Sequence, residues 1–417
     1  VLQFGTAVLI GILLAKSGLP TGMISVYETL IFIGSLCCFF WIVAGQNTLL
    51  QLFPTLGEVQ KQRALFNVFL LFTIVAGATG GLLFLTKNII AQRLTNFAEL
   101  PYLDWLALFL VFNSPTFLLQ IFYLLLKRYR AIVVFGIVSF SLQIMVVVLP
   151  VFLGYTLRET MVGLVAWAAL KFAWCVFELV RFGKWQLDLK FWRLYLPLVL
   201  PLLLFSFIGK GSEYISGLLV TTLFEDEKAF AVFRYGAREF PLGVLMLGAL
   251  ATSLIAETSE NLDAGLARIK ETTRKLSHWL FPLSMLSMLA SPLLFPIIFN
   301  PDFKDSARIF NIFTLMLSSR VLLTQVVQMS RRKNYFLSLS AFVEVALLGI
   351  LGWWLGGLFG PEGVAFGAVI AYLLGKILGV WYNWQVLKIS LWHYLDWKTY
   401  AVYNVLLVLC FLVSRQL

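Results

Sequence analysis

The sequence predicts an all-α polytopic membrane protein, and three observations predict it. Of its 417 residues, 60% are hydrophobic and 13% charged, with a mean hydropathy of +0.89. Soluble domains carry roughly 25% charged residues, so a soluble fold of this size could not cover its surface. Apolar runs recur from end to end, each closed by a short polar break, and a helix needs about 20 such residues to cross the hydrocarbon core. Basic residues concentrate in every second break. Disorder, a secreted disulfide scaffold and an ordinary cytosolic enzyme are excluded.

Taken in order, the runs place spans at 1–18, 24–52, 64–86, 103–126, 131–154, 159–181, 194–223, 229–256, 277–299, 305–330, 334–357, 362–387 and 399–414. The first and last are short for the ruler, and the chain opens at Val1 already inside an apolar run, which suggests a trimmed start. The breaks test this map independently. One set holds Lys61 and Arg63; Lys127, Arg128 and Arg130; Arg181, Lys184, Lys190 and Arg193; Arg268, Lys270, Arg274 and Lys275; Arg331, Arg332 and Lys333; and Lys388 and Lys398. The other set holds Lys16, Lys87, Arg93, Arg158, Lys228, Lys304, Arg308 and Arg415. The richer set marks the cytoplasmic side and sets the N-terminus in the cytoplasm. The net charge of +11 therefore reads as loops facing anionic lipid, and no nucleic acid partner is expected.

The outer breaks are short and leave no room for an extramembrane domain. The longest inner linker, 257–275, spaces Leu262, Leu266 and Ile269 on one helical face, which predicts a helix lying along the cytoplasmic surface. Cys37, Cys38, Cys175 and Cys410 all lie in apolar runs and read as small buried hydrophobes. No cofactor or metal site is expected.

The linker at 184–190 divides the chain after six spans. A lobe over 1–183, a second over 184–390 and an additional segment over 391–417 follow from it. An even number of spans per half gives both halves the same orientation, the parallel-repeat arrangement of some transporters.

Several charges remain inside spans. The basic ones are Lys171, Lys210, Arg234, Arg238, Arg320 and Lys376; the acids include Glu178, Glu213, Glu239 and Glu344. Each costs about 2.5–3.5 kcal/mol at a helix centre on insertion scales. A hydrated internal cavity is the default inference. At 1.5 Å per residue Arg238 lies roughly 14 Å from the outer end of its span, near the midplane, with Lys210 and Glu344 similarly central. Arg234 is shallower, and Arg320 and Lys376 lie toward the cytoplasm. Arg234 and Arg238 share a helix face, where two guanidinium groups repel unless an anion sits between them, and arginine forks match phosphate oxygens. The spacing thus points to a cationic cavity for a phosphate-bearing ligand lined by Lys210, Arg234, Arg238, Arg320 and Lys376. Glu213, Glu239 and Glu344 are candidate ion-coupling groups. The structural alternatives are that Lys210 and Glu213 neutralise each other, that Lys171 does the same with Glu178, and that Arg234 snorkels. The first half offers mainly Lys16, Glu28, Gln46, Asn113 and Gln143 beside Lys171 and Glu178. Pro197, Pro201 and Pro241, near these charges, predict bends.

Three stretches carry a resemblance: FAVFRYGAREFPL at 230–242, GVAFGAVIAYLLGKILG at 363–379 after a G-P-E-G turn, and LLAKSGLPTGMISVYETL at 13–30. They resemble the Wzx-like oligosaccharide flippase branch of the multidrug/oligosaccharidyl-lipid/polysaccharide exporter superfamily. The resemblance implies about 12–14 transmembrane helices in two six-helix lobes around a central cavity, working by alternating access. It implies a flippase that moves undecaprenyl-pyrophosphate-linked oligosaccharide from the cytoplasmic to the periplasmic leaflet of the bacterial inner membrane, alongside polysaccharide polymerase machinery. The family commonly has an even number of spans, whereas thirteen runs are visible here.

Two other cargoes fit the same scaffold: lipid II, and a small molecule. A cationic drug is disfavoured, because in-span basic residues outnumber acidic ones. A membrane-embedded polymerase or transferase would need a large outer loop or a buried His or carboxylate pair. His278 and His393 both lie near the cytoplasmic interface, and no HExxH or nucleophile motif is present.

Overall fold

The protein was analysed as a computed structural model, which describes residues 2–53, 56–95, 99–224, 226, 228–237, 246–247, 250–251, 254–255, 257–258, 260–331 and 333–416. The described residues are helical from end to end and pack as two compact units, Val1–Lys210 and Gly211–Leu417. Eight described helices are long and apolar enough to cross a membrane, or nine if one bent pair forms a single span.

The first unit holds α1 (Leu2–Lys16), α2 (Thr21–Leu52), α3 (Glu58–Leu85), α4 (Lys87–Leu94), α5 (Leu103–Thr116), α6 (Leu118–Leu125), α7 (Tyr129–Phe152) and α8 (Leu157–Phe182). The helix α9 (Leu189–Leu223) contains the boundary between the units. The short α4 lies in what the hydropathy pattern reads as an outer break; at eight residues it is below the length at which a periodic pattern stands out. Its first residue, Lys87, bonds Asp104 at 2.8 Å. At the other end of the first unit, Asn67 is buried and gathers the linker. Its amide donates to the carbonyls of Arg63 at 2.8 Å and Gln186 at 2.9 Å, and its oxygen accepts from the Asp188 amide at 3.1 Å and the Trp192 indole at 2.6 Å.

The helix α8 shows the reversed polarity that a bilayer demands. Leu170, Phe177 and Val180 are each 63% exposed, while Lys171 and Glu178 are 6% and 9% exposed. Hydrocarbon outside accepts the apolar stripe, and charge must find partners within the protein. Without a hydrophobic drive between helices, packing supplies the contact energy. Phe172 does this at the junction of three helices, 5.4 Å from Phe69 of α3 and 5.7 Å from Phe112 of α5.

The second unit continues with α10 (Ala229–Gly236), α11 (Leu262–Ile298), α12 (Lys304–Thr314), α13 (Leu317–Arg320), α14 (Thr324–Ser330), α15 (Asn334–Gln385), α16 (Leu391–Tyr394) and α17 (Trp397–Ser414). Two expectations change here. The apolar face at Leu262, Leu266 and Ile269 belongs to no separate surface helix. It is the first part of α11, whose 37 residues run about 56 Å, well beyond the hydrocarbon. Leu266 and Ile269 pack on Leu323, Val326, Val327, Ile389 and Tyr394, so the protein, and not lipid, covers the stripe. The span placed at 305–330 is broken into α12, α13 and α14, with a 41° bend between Pro301–Arg320 and Thr324–Ser330.

The 52 residues of α15 reverse at Gly360, whose φ of 65° and ψ of −151° fall where only glycine is comfortable. Pro361 follows and cannot donate the missing hydrogen bond. The arms then run antiparallel and close. A Cβ on Gly367 would lie 2.6 Å from the Gly352 nitrogen, so no larger residue fits. The tip is fastened by Glu362, which bonds Arg415 and stands 3.8 Å from Arg308. A buried polar link backs this: Asn311 of α12 accepts from Ser291 of α11 at 2.8 Å and donates to Ser414 of α17 at 3.2 Å.

Candidate functional site

The site lies in the second unit, where the broken span meets the returning arm of α15. No proline or glycine marks the break. It is made by Leu323, which adopts a left-handed conformation at φ 39° and ψ 31°. A bulky residue held there stores strain of order 1–3 kcal/mol, and such outliers cluster at functional sites. Arg320 ends α13 just before the break, and Gln325 is the second residue of α14 just after it. Docking of α14 on α15 fixes the geometry: Gln328 donates to the Gly379 carbonyl at 3.2 Å, and Asn383 to the Thr324 carbonyl at 3.4 Å.

Between these fastenings, Lys376 of α15 donates to the Gln325 side-chain oxygen at 2.5 Å. Its ammonium lies 5.1 Å from the centre of the Tyr372 ring, and the Arg320 guanidinium lies 5.1 Å from the same ring. The tyrosine face is electron-rich and attracts cations, at about 0.5–2 kcal/mol for each such contact. A single ring can therefore hold two like charges near each other that would otherwise separate. Glu344 stands on the opposite arm of α15, where its carboxylate oxygen would come within 3.3 Å of a Cβ on Gly375. Glu344 thus stands beside the residue that precedes Lys376, and Arg320 shares the Tyr372 ring with Lys376. Among the described residues, two cations and one carboxylate, all half-buried, gather here inside apolar helices.

Of the residues singled out from sequence, Arg320, Lys376 and Glu344 are brought together. Arg234 is not among them. It sits on α10, 5.9 Å from the Phe230 ring one turn back, beside the start of α12, where Ser306 bonds the Val232 carbonyl at 2.7 Å. Ser306 precedes Arg320 by roughly 20 Å of helix. Arg238 and Glu239 lie outside the described residues, as do the side chains of Lys210 and Glu213. Tyr372 and Gln325 gave no signal in the sequence, since an aromatic or amide residue in an apolar run is common. The spacing of Lys171 and Glu178 suggested a pair, but seven residues are about 10 Å of helix, too far to bond. Glu178 instead accepts from Arg128 at 3.1 Å and from Tyr123 at 3.0 Å.

Residues 57–308, more than half of the chain, match the family described as Polysaccharide biosynthesis protein. Among solved structures, the chain is similar to the lipid II flippase MurJ in an inward closed conformation. The TM-score is 0.76 at 16% identity, covering 99% of this chain and 91% of that one. It is also similar to an inward-facing multidrug resistance MATE family transporter of the MOP superfamily, with TM-score 0.69, 11% identity and coverage of 91% and 93%. A third is a MOP superfamily transporter from Pyrococcus furiosus, described by the reverse polarity of its binding pocket, with TM-score 0.59, 12% identity and coverage of 92% and 91%. No curated protein sequence matches the chain. At these identities the structural likeness speaks for the fold.

Proposed function

The chain belongs to the polysaccharide biosynthesis protein family, in the MOP superfamily of membrane transporters, and from that premise we propose that it flips a lipid-linked oligosaccharide. The cargo is undecaprenyl-pyrophosphate-linked oligosaccharide, carried from the cytoplasmic to the periplasmic leaflet of the bacterial inner membrane, with the N-terminus cytoplasmic. The halves 1–183 and 184–390 act as two six-helix lobes that expose the cargo site to one side of the membrane at a time, and 391–417 adds a further segment. The product would pass to polysaccharide polymerase machinery.

One observation carries this reading: Arg320 and Lys376 meet at Tyr372 inside apolar helices. The guanidinium fork suits a phosphate oxygen pair, and the ammonium adds a second contact. A diphosphate supplies the negative charge that such a patch favours, while a prenyl chain stays in lipid. Lys210 and Arg238 extend the cationic surface in this reading, and Arg234 serves the outer end of the path. Glu344 competes with cargo for Lys376, so that the headgroup is released and not trapped; Glu213 and Glu239 are the remaining candidates for ion coupling.

The test is complementation of a strain lacking its oligosaccharide flippase, with lipid-linked intermediates identified by mass spectrometry. Restored surface polysaccharide and cleared intermediates support the proposal. Restored growth of a lipid II flippase-depleted strain, without polysaccharide rescue, would reassign the cargo to lipid II.

A further inference from the structure

In the first unit, a second charged group lies deep in the membrane and takes no part in the cargo site. Lys171 sits 14 residues into the 26-residue α8, about 21 Å from its start, and is 6% exposed. Its ammonium donates to the Asn113 side-chain oxygen at 2.5 Å. Asn113 belongs to α5, one residue before the Ser114–Pro115 step that ends that helix.

Among the described residues, the donors gathered here outnumber the side-chain acceptors that they bond. An ammonium has three N–H donors, and Asn113 takes one of them. One turn back on the same helix, the Trp167 ring centre lies 6.0 Å from the Lys171 nitrogen. Trp167 is 7% exposed, and its indole N–H is buried without an acceptor. A buried donor left unsatisfied is costly, and a buried unneutralised charge more so. The acids on the neighbouring elements do not supply the missing charge. Glu178 is held by Arg128 and Tyr123, Asp104 of α5 by Lys87, and Glu58 of α3 by Lys61. Glu159, at the exposed start of α8, bonds Thr156.

We infer that Lys171 and Trp167 hold a small monovalent inorganic anion of the halide class near the midplane of the first unit. A single positive charge is balanced by a single negative one, whereas a divalent oxyanion would leave the site negative. A spherical ion has no preferred hydrogen-bond direction, so it accepts from ammonium and indole together, whereas a carbonyl would dictate an angle. The inference concerns an ion in the first unit and does not depend on what the second unit transports.

The test uses the purified full chain in detergent. Thermal unfolding is compared in sodium chloride, sodium bromide and sodium gluconate at equal ionic strength. Halide at about ten times its Kd is expected to raise Tm by about 1–2 °C over gluconate. Trp167→Phe, which removes one N–H and keeps the ring, and Lys171→Met are each expected to abolish the difference. A bromide anomalous peak beside the Lys171 nitrogen is the independent readout. No halide shift in the native chain, or an undiminished shift in Trp167→Phe, would overturn the inference. If Lys171→Met folds poorly, Trp167→Phe and the bromide peak still decide.

Discussion

Arg320 and Lys376 stand at the same distance, 5.1 Å, from the centre of the Tyr372 ring. The two residues stand 56 positions apart in the chain, and one aromatic face brings both to the same place. Alanine at either position is expected to reduce surface polysaccharide at least tenfold in the complementation assay, with the protein still inserted. Tyr372→Phe keeps the ring and should retain activity. Tyr372→Leu loses the cation contacts, each worth about 0.5–2 kcal/mol, and should lower activity. Normal polysaccharide in Arg320→Ala and Lys376→Ala would remove the pair from the mechanism.

Glu344 is the acid that stands against Gly375, the residue before Lys376. Glu344→Gln should tighten binding of a soluble diphosphate analogue about three- to tenfold, equivalent to roughly 0.7–1.4 kcal/mol. Transport should fall because release is slower. Titration calorimetry on the purified variant checks the affinity. Unchanged or weaker binding would show that the carboxylate does not compete with an anion there.

Asn67 satisfies two carbonyls, one backbone amide and the Trp192 indole. Asn67→Leu matches its bulk and strips all four, leaving buried polar groups unpaired. A loss of about 2–4 kcal/mol is expected, read as a lower Tm and as faster proteolysis of the linker at 184–190. Full stability would mean that these groups find other partners.

At the hairpin, Gly360→Ala should cost about 1–3 kcal/mol through its backbone conformation alone. Gly367→Leu should cost more, because the arms of α15 would have to separate. Both should lower yield and Tm, with Gly367→Leu the worse. The reverse order would place the constraint at the turn and not between the arms.

Much of the fold is legible in hydropathy, since long apolar runs and their basic flanks follow directly from the bilayer. The breaks are less so. The reversal at Gly360 carries its own signature in the G-P-E-G turn, but the kink after Arg320 falls in V-L-L, where tertiary packing imposes a left-handed leucine. In the same way, charge in an apolar run singles out Arg320, Lys376 and Glu344, because desolvation makes each conspicuous. What gathers them is Tyr372 and Gln325, which are unremarkable in a membrane helix. Arg234 carries the same charge signal and lies elsewhere, since sequence gives depth along a span more readily than its direction. Asn67 is hidden in the sequence for a related reason: a buried amide looks like any polar residue until its four partners are known.

The grip of Glu362 on Arg308 and Arg415 has a mechanical corollary. It couples the hairpin tip, the first turns of α12 and the last turn of α17 into one block at that edge of the second unit. Rearrangement there would have to carry all three along together or break a charged lock to release one of them. High ionic strength, which screens exposed pairs, should therefore loosen this edge before the buried serine–asparagine link beneath it gives way.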